Sequence, residues 1–222
     1  MNPVYLLDIE GTTTPISFVY QVLFPFARRQ FAEFLQQNWS DPSVRREAEQ
    51  LAEQVDGPEV AARAALALMD EDRKFGPLKA LQGRIWEAGY GSGQLKSQLF
   101  DDVEPVLRER KARGLRTFIY SSGSVLAQKL LFAHTPAGDL SGLLDGFFDT
   151  AVGAKADPES YRRIATQIGA SGLFATDIVS EAEAARQAGW EAVILKRPGN
   201  HAQPEHQFPV WTSLEACHDS TV

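Results

Sequence analysis

The apolar positions of this chain follow two different spacings. From about Pro15 to Leu99, apolar residues recur at helical spacing, and glycine and proline separate the resulting stripes. After Asp102, short apolar runs alternate with further stripes of helical spacing. The first spacing predicts a bundle of helices. The alternation of strand and helix predicts an α/β fold with a doubly wound parallel sheet.

The start of the chain belongs to the sheet in this interpretation. Val4–Leu7 is an apolar run that ends in acids and glycine, which is typical of a short strand buried on both faces. The helical stripes separate this strand from the rest of its sheet. We therefore predict a Rossmann-like α/β core made of residues 1–15 and 100–222. A helical cap of residues 16–99 would be inserted after the first strand.

Local signals place the later elements. Asp157 and Pro158 are residue types that favour the N-cap and the first position of a helix. Ser180 and Glu183 form the pattern of a capping box, and Gly189 would end the helix that they open. The remaining strands are predicted, in chain order, at 117–120, 146–149, 173–176 and 192–195.

Composition restricts the classes of partner. The chain has 222 residues, of which 44% are hydrophobic and 23% charged, an ordinary balance for a globular protein. Its net charge is -7. The basic cluster from Arg108 to Arg113 contains an acid and is spread around a helix, which predicts a solvated helix face. No basic stripe offsets phosphates, so we expect no nucleic-acid partner.

The cysteine content and the N-terminus indicate a compartment. Cys217 is the only cysteine, so the chain has no internal disulfide and a reducing cytoplasm is its natural setting. The N-terminus lacks the features of a signal peptide, and no stretch approaches the roughly 20 apolar residues of a membrane span. We expect a cytoplasmic protein without a membrane partner. A monomer is compatible with the sequence, which does not give the oligomeric state.

Two acids follow the first predicted strand. Asp8 and Glu10 lie where that strand ends, and Gly11 with the threonines after it supplies a hydrogen-bonding turn. Open α/β sheets bind their ligands outside the carboxyl ends of the strands. The pair therefore suggests a nucleophilic carboxylate beside a second carboxylate that moves protons or helps to hold a divalent cation.

Polar residues also follow three later strands. Ser121 and Ser122 stand at a helix start, where hydroxyl and backbone N–H groups can bind phosphate or can simply cap the helix. Lys155 lies on a loop and by itself could be a solvated lysine. Asp177, with Glu181 four residues later, could complete a Mg²⁺ site or cap the next helix. Taken one at a time, these residues could each have a structural explanation. The occurrence of Asp8, Ser121, Lys155 and Asp177 in this order along the chain favours a catalytic interpretation much more strongly than any one of them does.

The order resembles the four motifs of the haloacid dehalogenase superfamily, with Asp8, Ser121, Lys155 and Asp177 at the motif positions. Glu10 departs from that pattern, in which the second acid is usually aspartate. The same residue agrees with a narrower resemblance, because the segment 8–16 (DIEGTTTPI) is similar to the opening of the enolase-phosphatases of methionine salvage. Further segments similar to that family are LKALQG at 78–83, YSSGS at 120–124, ESYR at 159–162 and RPGN at 197–200.

This second resemblance covers nearly the whole chain, from Tyr5 to about Asn200. It implies an enzyme that enolises 2,3-diketo-5-methylthiopentyl-1-phosphate and then removes phosphate, leaving the acireductone 1,2-dihydroxy-3-keto-5-methylthiopentene. The segment AKAD at 154–157 differs from the expected sequence of the His-Lys-Val-Glu type, although the lysine is kept.

The resemblance also implies roles for the site residues. Asp8 would attack phosphorus and form an aspartyl-phosphate. Mg²⁺ would lie among the Asp8 carboxylate, the Glu10 backbone carbonyl and the Asp177 carboxylate. Glu10 would also carry protons, and whether Glu181 contacts the metal stays open.

Phosphate binding has its own implied residues. Ser121 and Ser122 would bind the phosphate oxygens. Lys155 would offset the negative charge of the phosphate beside the nucleophile.

Three other interpretations stay open at this point. A phosphatase of the same superfamily could act on a different small phosphate ester. A response-regulator receiver domain also combines acids, a hydroxyl and a lysine on a doubly wound sheet, but such domains are shorter and have no helical insertion. A non-catalytic binding protein on the same fold would release phosphate only stoichiometrically.

Overall fold

The computed structural model describes residues 4–71, 73 and 75–218, without the side chains of Cys217 and His218. The side chain of Cys217 and the ends of the predicted core at 1–3 and 219–222 lie outside what the structure describes. Two compact units are present: the chain up to Phe18 together with the chain from Lys96 onward, and Val19–Leu95. The first boundary lies three residues after the predicted one, and the second lies four residues before the predicted one.

The first unit contains a six-stranded sheet in which every neighbouring pair is parallel. The predicted doubly wound parallel sheet is therefore confirmed. The strand order is β3-β2-β1-β4-β5-β6. The strands are β1 (Val4–Leu7), β2 (Thr117–Tyr120), β3 (Gly146–Phe148), β4 (Gly172–Thr176), β5 (Glu191–Leu195) and β6 (Val210–Trp211).

The strand order places β1 in the interior of the sheet, between β2 and β4. All four residues of β1 are buried, as expected for a strand covered on both faces. From β1 the chain fills one side of the sheet through β2 and β3, and then the other side through β4, β5 and β6. The order thus reverses between β1 and β4, and ligands of such sheets bind at the carboxyl ends of the strands at this reversal.

Helices account for most of the remaining described residues. A π-helical segment at Val19–Leu23 joins the first two of them, and short 3-10 turns lie at Ser141–Leu143 and Leu214–His218. None of the helices in the described part of the chain has the length and apolar character needed to cross a bilayer. In chain order the helices are α1 (Ile16–Phe18), α2 (Phe24–Asn38), α3 (Pro42–Glu49), α4 (Pro58–Asp70), α5 (Gly76–Gly91), α6 (Val103–Ala112), α7 (Val125–Ala133), α8 (Pro158–Ile168) and α9 (Val179–Gln187).

The two predicted helix starts have different outcomes. The Asp157 carboxylate accepts the Glu159 N–H at 2.9 Å at the start of α8, so the predicted cap is confirmed. The predicted capping box at Ser180 is wrong, because α9 begins at Val179 and Ser180 lies inside it. Groups outside the helix accept its first free N–H groups instead. The Val179 N–H donates to Gln203 Oε1 at 3.1 Å.

The basic cluster on α6 is only partly a solvated face. Arg108, Lys111 and Arg113 are exposed and pair with nearby acids. Arg110 instead is buried, and its guanidinium lies 3.2 Å from the centroid of the Tyr5 ring. The prediction of a solvated face is therefore wrong at Arg110, because aromatic and carbonyl partners in the core satisfy that side chain.

Candidate active site

Asp8 is the first residue after β1, and the neighbouring strand fixes its position. Its side chain and backbone are buried, with 2% exposure. The Asp8 N–H donates to the Ala175 carbonyl of β4 at 2.9 Å, which continues the ladder between the two strands. The Ile9 N–H donates to Asp8 Oδ1 at 2.8 Å. Strand pairing fixes the backbone at Asp8, so this residue lies at the carboxyl ends of the strands.

Lys155 is buried against two carboxylates and is not a solvated residue. Its Nζ lies 2.5 Å from Asp8 Oδ1 and 2.7 Å from Glu181 Oε2. Burial by itself lowers the pKa of Lys155, but the negative charges of Asp8 and Glu181 outweigh it and raise the pKa above its usual value. The ammonium group therefore stays charged at neutral pH.

Three buried hydroxyl groups hold the loop that carries Lys155. Tyr120 Oη, Ser160 Oγ and Tyr161 Oη donate to the three consecutive carbonyls of residues 153–155, at 3.0, 2.8 and 2.8 Å. Backbone groups without such partners are costly to bury. No role was predicted for Tyr161 from the sequence, and the segment ESYR, which contains it, was the signal that could have shown one.

Asp177 follows β4 and completes a group of three carboxylates. It is 3% exposed and lies against the Gly11 backbone, where an added Cβ would overlap its carboxylate. Burial, together with the charges of Asp8 and Glu181, raises the pKa of Asp177 to about 7. Burial and the Asp8 charge also raise the pKa of Glu181. Negative charge is therefore crowded at this point, and Lys155 offsets only part of it.

The described residues contain no group of three or more His, Cys, Asp or Glu side chains arranged to hold a metal ion. A cation at this edge of the sheet would therefore need a backbone oxygen in addition to Asp8 and Asp177. Glu10 lies on the turn that supplies such carbonyls, because it forms an isolated bridge with Thr14 and is half-buried.

Ser121 and Ser122 follow β2, which pairs directly with β1. Ser121 is 1% exposed, and its Oγ accepts the Gly123 N–H at 3.2 Å. The alternative role as helix cap belongs to Ser124, whose Oγ accepts the Ala127 N–H at the start of α7. The two serines therefore lie in the loop before the helix, and their hydroxyl groups are not what caps it.

The segment RPGN contacts the loop that follows Asp8. Arg197 is 7% exposed, and its guanidinium donates to the Thr12 carbonyl at 3.2 Å and to Asp102 Oδ2 at 2.7 Å. The Asn200 side chain donates to the Gly11 carbonyl at 2.9 Å. This turn therefore fixes the backbone of the loop that follows Asp8. Single-sequence patterns could not show this, because the partners are some 185 residues apart.

Comparison with known proteins identifies the family of this chain. A family model described as haloacid dehalogenase-like hydrolase matches residues 3–189. Enolase-phosphatase E1 of Frankia alni is 48% identical over 209 residues, which cover 90% of this chain and 87% of that protein. Enolase-phosphatase E1 of Leptospira borgpetersenii is 43% identical over 223 residues, 96% of each chain.

A solved structure also resembles this chain over nearly its whole length. The crystal structure of the UTR4 protein from Saccharomyces cerevisiae superposes with a TM-score of 0.85 at 37% identity, covering 97% of this chain and 99% of the other. Family model, relatives and structure all extend over most of the chain. The chain belongs to the haloacid dehalogenase-like hydrolases and, among them, to the enolase-phosphatases.

Proposed function

We propose that this chain is a Mg²⁺-dependent enolase-phosphatase that converts 2,3-diketo-5-methylthiopentyl-1-phosphate to 1,2-dihydroxy-3-keto-5-methylthiopentene and phosphate in methionine salvage. The observation that carries the proposal is the buried contact of Lys155 with Asp8 at the strand reversal. A carboxylate held there by a charged lysine is positioned to attack a phosphate ester. The family to which the chain belongs supports the choice of substrate.

Asp8 is the nucleophile in this proposal. The Lys155 ammonium and the Ile9 N–H both hold Asp8 Oδ1, whereas Oδ2 accepts a longer hydrogen bond, at 3.3 Å, from the Thr176 hydroxyl. We assign the attack to Oδ2 because it is the less constrained oxygen. The Oδ2–P bond forms as the bond from phosphorus to the substrate oxygen breaks. Water then cleaves the aspartyl-phosphate and regenerates Asp8.

The residues of the site fit a magnesium ion. The carboxylates of Asp8 and Asp177 are buried and that of Glu181 is partly buried. Burial, and then the charges of Asp8 and Glu181, raises the pKa of Asp177 to about 7. Mg²⁺ prefers oxygen ligands, and the carboxylates of Asp8 and Asp177 with the backbone carbonyl of Glu10 would hold it. When bound, the ion supplies neutralisation of the phosphate charge and polarisation of a substrate oxygen. Glu181, which contacts Lys155, would act outside this ligand set.

Phosphate recognition falls to the loop after β2. Ser121 and Ser122, in the loop before α7, can donate hydroxyl hydrogen bonds to phosphate oxygens. Lys155 offsets the charge that the phosphate brings next to Asp8. The net charge of -7 does not oppose this binding, because charges further away than about 8 Å are largely screened at physiological salt.

Glu10 is the proposed proton carrier in both steps. It would take the proton from the substrate carbon during enolisation and later protonate the leaving oxygen. The pKa of a free glutamate differs little from that of a free aspartate. The reason for glutamate at this position is therefore its additional methylene, which extends the reach of the carboxylate from the leaving oxygen to the carbon.

Replacing Glu10 by aspartate should separate the two steps. We expect Glu10→Asp to slow enolisation by about 10²-fold, the usual size of a general-base contribution, and to slow phosphate release from a simple ester much less. The measurement is the absorbance of the enediol formed from the diketo phosphate, compared with phosphate release from a simple ester by the same enzyme preparations. Equal loss in both assays would contradict the proton-carrier role.

The proposed function is tested by a phosphate-release assay on the diketo phosphate with and without Mg²⁺. We expect a transient enol in the ultraviolet absorbance and catalytic phosphate release, both lost without the metal. Phosphate release from simple esters without an enol would leave the phosphatase chemistry and move the substrate to another small phosphate ester. Release of one phosphate per chain would favour the binding-protein interpretation instead.

The remaining predictions stay part of the proposal. Residues 16–99 are proposed to act as a cap that contributes to substrate choice, and the enzyme is proposed to work in the cytoplasm, with the monomer as its simplest state. A receiver domain is excluded, because the haloacid dehalogenase-like hydrolase model matches residues 3–189.

A further inference from the structure

The Asn200 side chain has one satisfied end and one unsatisfied end. Its Nδ2 group donates to the Gly11 carbonyl at 2.9 Å and to the Leu195 carbonyl at 3.0 Å. Both amide hydrogens are therefore used, and this assignment fixes which end of the amide is the oxygen. Asn200 Oδ1 is buried and has no hydrogen-bond partner among the described residues. A buried acceptor without a partner is costly, so it points to a missing donor.

The unsatisfied oxygen lies beside the carboxylate of Asp177. A Cβ built on Gly11 would come 2.9 Å from Asn200 Oδ1 and would at the same time overlap the Asp177 carboxylate. Both groups therefore face one point next to the Gly11 backbone. Neither can donate a hydrogen bond to the other when Asp177 is ionised. A donor that sits between them would satisfy both.

We propose that Asn200 is a positioning residue for the metal: its Oδ1 accepts a hydrogen bond from a water molecule coordinated to the Mg²⁺ ion. This inference rests on the proposed function, which supplies the ion. Mg²⁺ keeps several of its waters when proteins bind it, so a water ligand near Asp177 is the expected donor. The two carbonyl contacts of Nδ2 hold the amide in place, and Oδ1 is thereby oriented before the ion arrives.

This role explains why an asparagine suits the position. One end of the amide ties down the carbonyl of Gly11, next to the proposed ligand Glu10, while the other end contacts the shell of the ion. A carboxylate could accept from the water but could not donate to the two carbonyls. Groups that orient the ligands of a metal from outside its coordination sphere typically change metal affinity when they are removed.

The test is calorimetric titration of the metal-free full chain with Mg²⁺, together with thermal melting of the same samples. Asn200→Ala is expected to weaken Mg²⁺ binding by about 10- to 100-fold. The matched control is Arg197→Lys, which removes the hydrogen bond to the Thr12 carbonyl and so loosens the same loop without touching Oδ1. Arg197→Lys is expected to lower the melting temperature and to weaken Mg²⁺ binding less than Asn200→Ala does, because it loosens the loop that carries Glu10 but leaves Asn200 Oδ1 in place.

The outcomes separate this inference from the proposed function. Unchanged Mg²⁺ affinity in Asn200→Ala, or equal weakening in both variants, would overturn the inference and leave the enzyme intact. Failure of the unsubstituted chain to bind Mg²⁺ would overturn the cofactor of the proposed function. If Asn200→Ala does not fold, Asn200→Ser replaces it. The shorter serine hydroxyl can still donate to a carbonyl but does not reach the position of Oδ1, so the same loss of affinity is expected.

Discussion

Phosphate release by an Asp8→Asn variant is expected to fall by about 10⁴-fold or more, because the amide cannot form the phosphoenzyme on which turnover depends. The substitution keeps the size of the side chain and its hydrogen bond from the Ile9 N–H. The fold should therefore persist. Lys155 also keeps its contact with Glu181 at 2.7 Å, so the buried ammonium is not left without a partner.

Two measurements make this prediction specific. Acid-quenched unsubstituted enzyme should carry labelled phosphate on the peptide that contains Asp8, and the variant should not. Asp101→Asn is the matched control, since it removes one acid of the same type from an exposed position and should keep full activity. Phosphate release by Asp8→Asn at more than about a hundredth of the normal rate would contradict the assignment of Asp8 as nucleophile.

The sheet and the carboxyl-end position of its polar residues could be predicted from the sequence. Val4–Leu7 and Thr117–Tyr120 are observed with the predicted bounds, because the polar residues on either side of a short apolar run mark where the strand begins and ends. Parallel strands end at one edge of a sheet, so Asp8 and Asp177 had to come near each other once β1 and β4 were neighbours. The proximity of Asp8 and Asp177 follows from the strand order and not from the types of the two residues.

What could not be predicted depends on partners far apart in the chain. The start of α9 is one example, because Gln203 supplies an acceptor where the local sequence suggested a capping box. Arg110 is another, because its burial depends on the Tyr5 ring. β6 is only two residues long and half of Val210 is exposed, so it has no apolar run to signal it. Local patterns carry no information about such contacts.

The lysine loop shows the same limit at the site itself. A single lysine in a loop gives no local sign of burial, and its place depends on three hydroxyl groups that hold residues 153–155. The resemblance to the family identified Lys155, but the contact with Glu181 was not foreseen. Because Glu181 pairs with Lys155, we do not count it among the acids that would bind a cation.

Lys155→Met is expected to reduce both activity and stability. The lysine is 9% exposed and contacts two carboxylates, so its loss leaves buried negative charges without their cation. Breaking a buried ion pair in this way costs about 3–5 kcal/mol. Phosphate release should fall by about 10²- to 10³-fold, because the charge opposite the phosphate is lost as well.

The Mg²⁺ dependence of the melting temperature distinguishes this explanation from simple damage to the core. In the Lys155→Met variant the ion would be the remaining cation in the group, so saturating Mg²⁺ should raise the melting temperature more than in the unsubstituted chain. Lys129→Met is the control, since Lys129 is exposed and its replacement should change neither property. If Mg²⁺ raised the melting temperature of Lys155→Met no more than that of the unsubstituted chain, Lys155 and the metal would not neutralise the same carboxylates. The role of Lys155 would then be limited to packing.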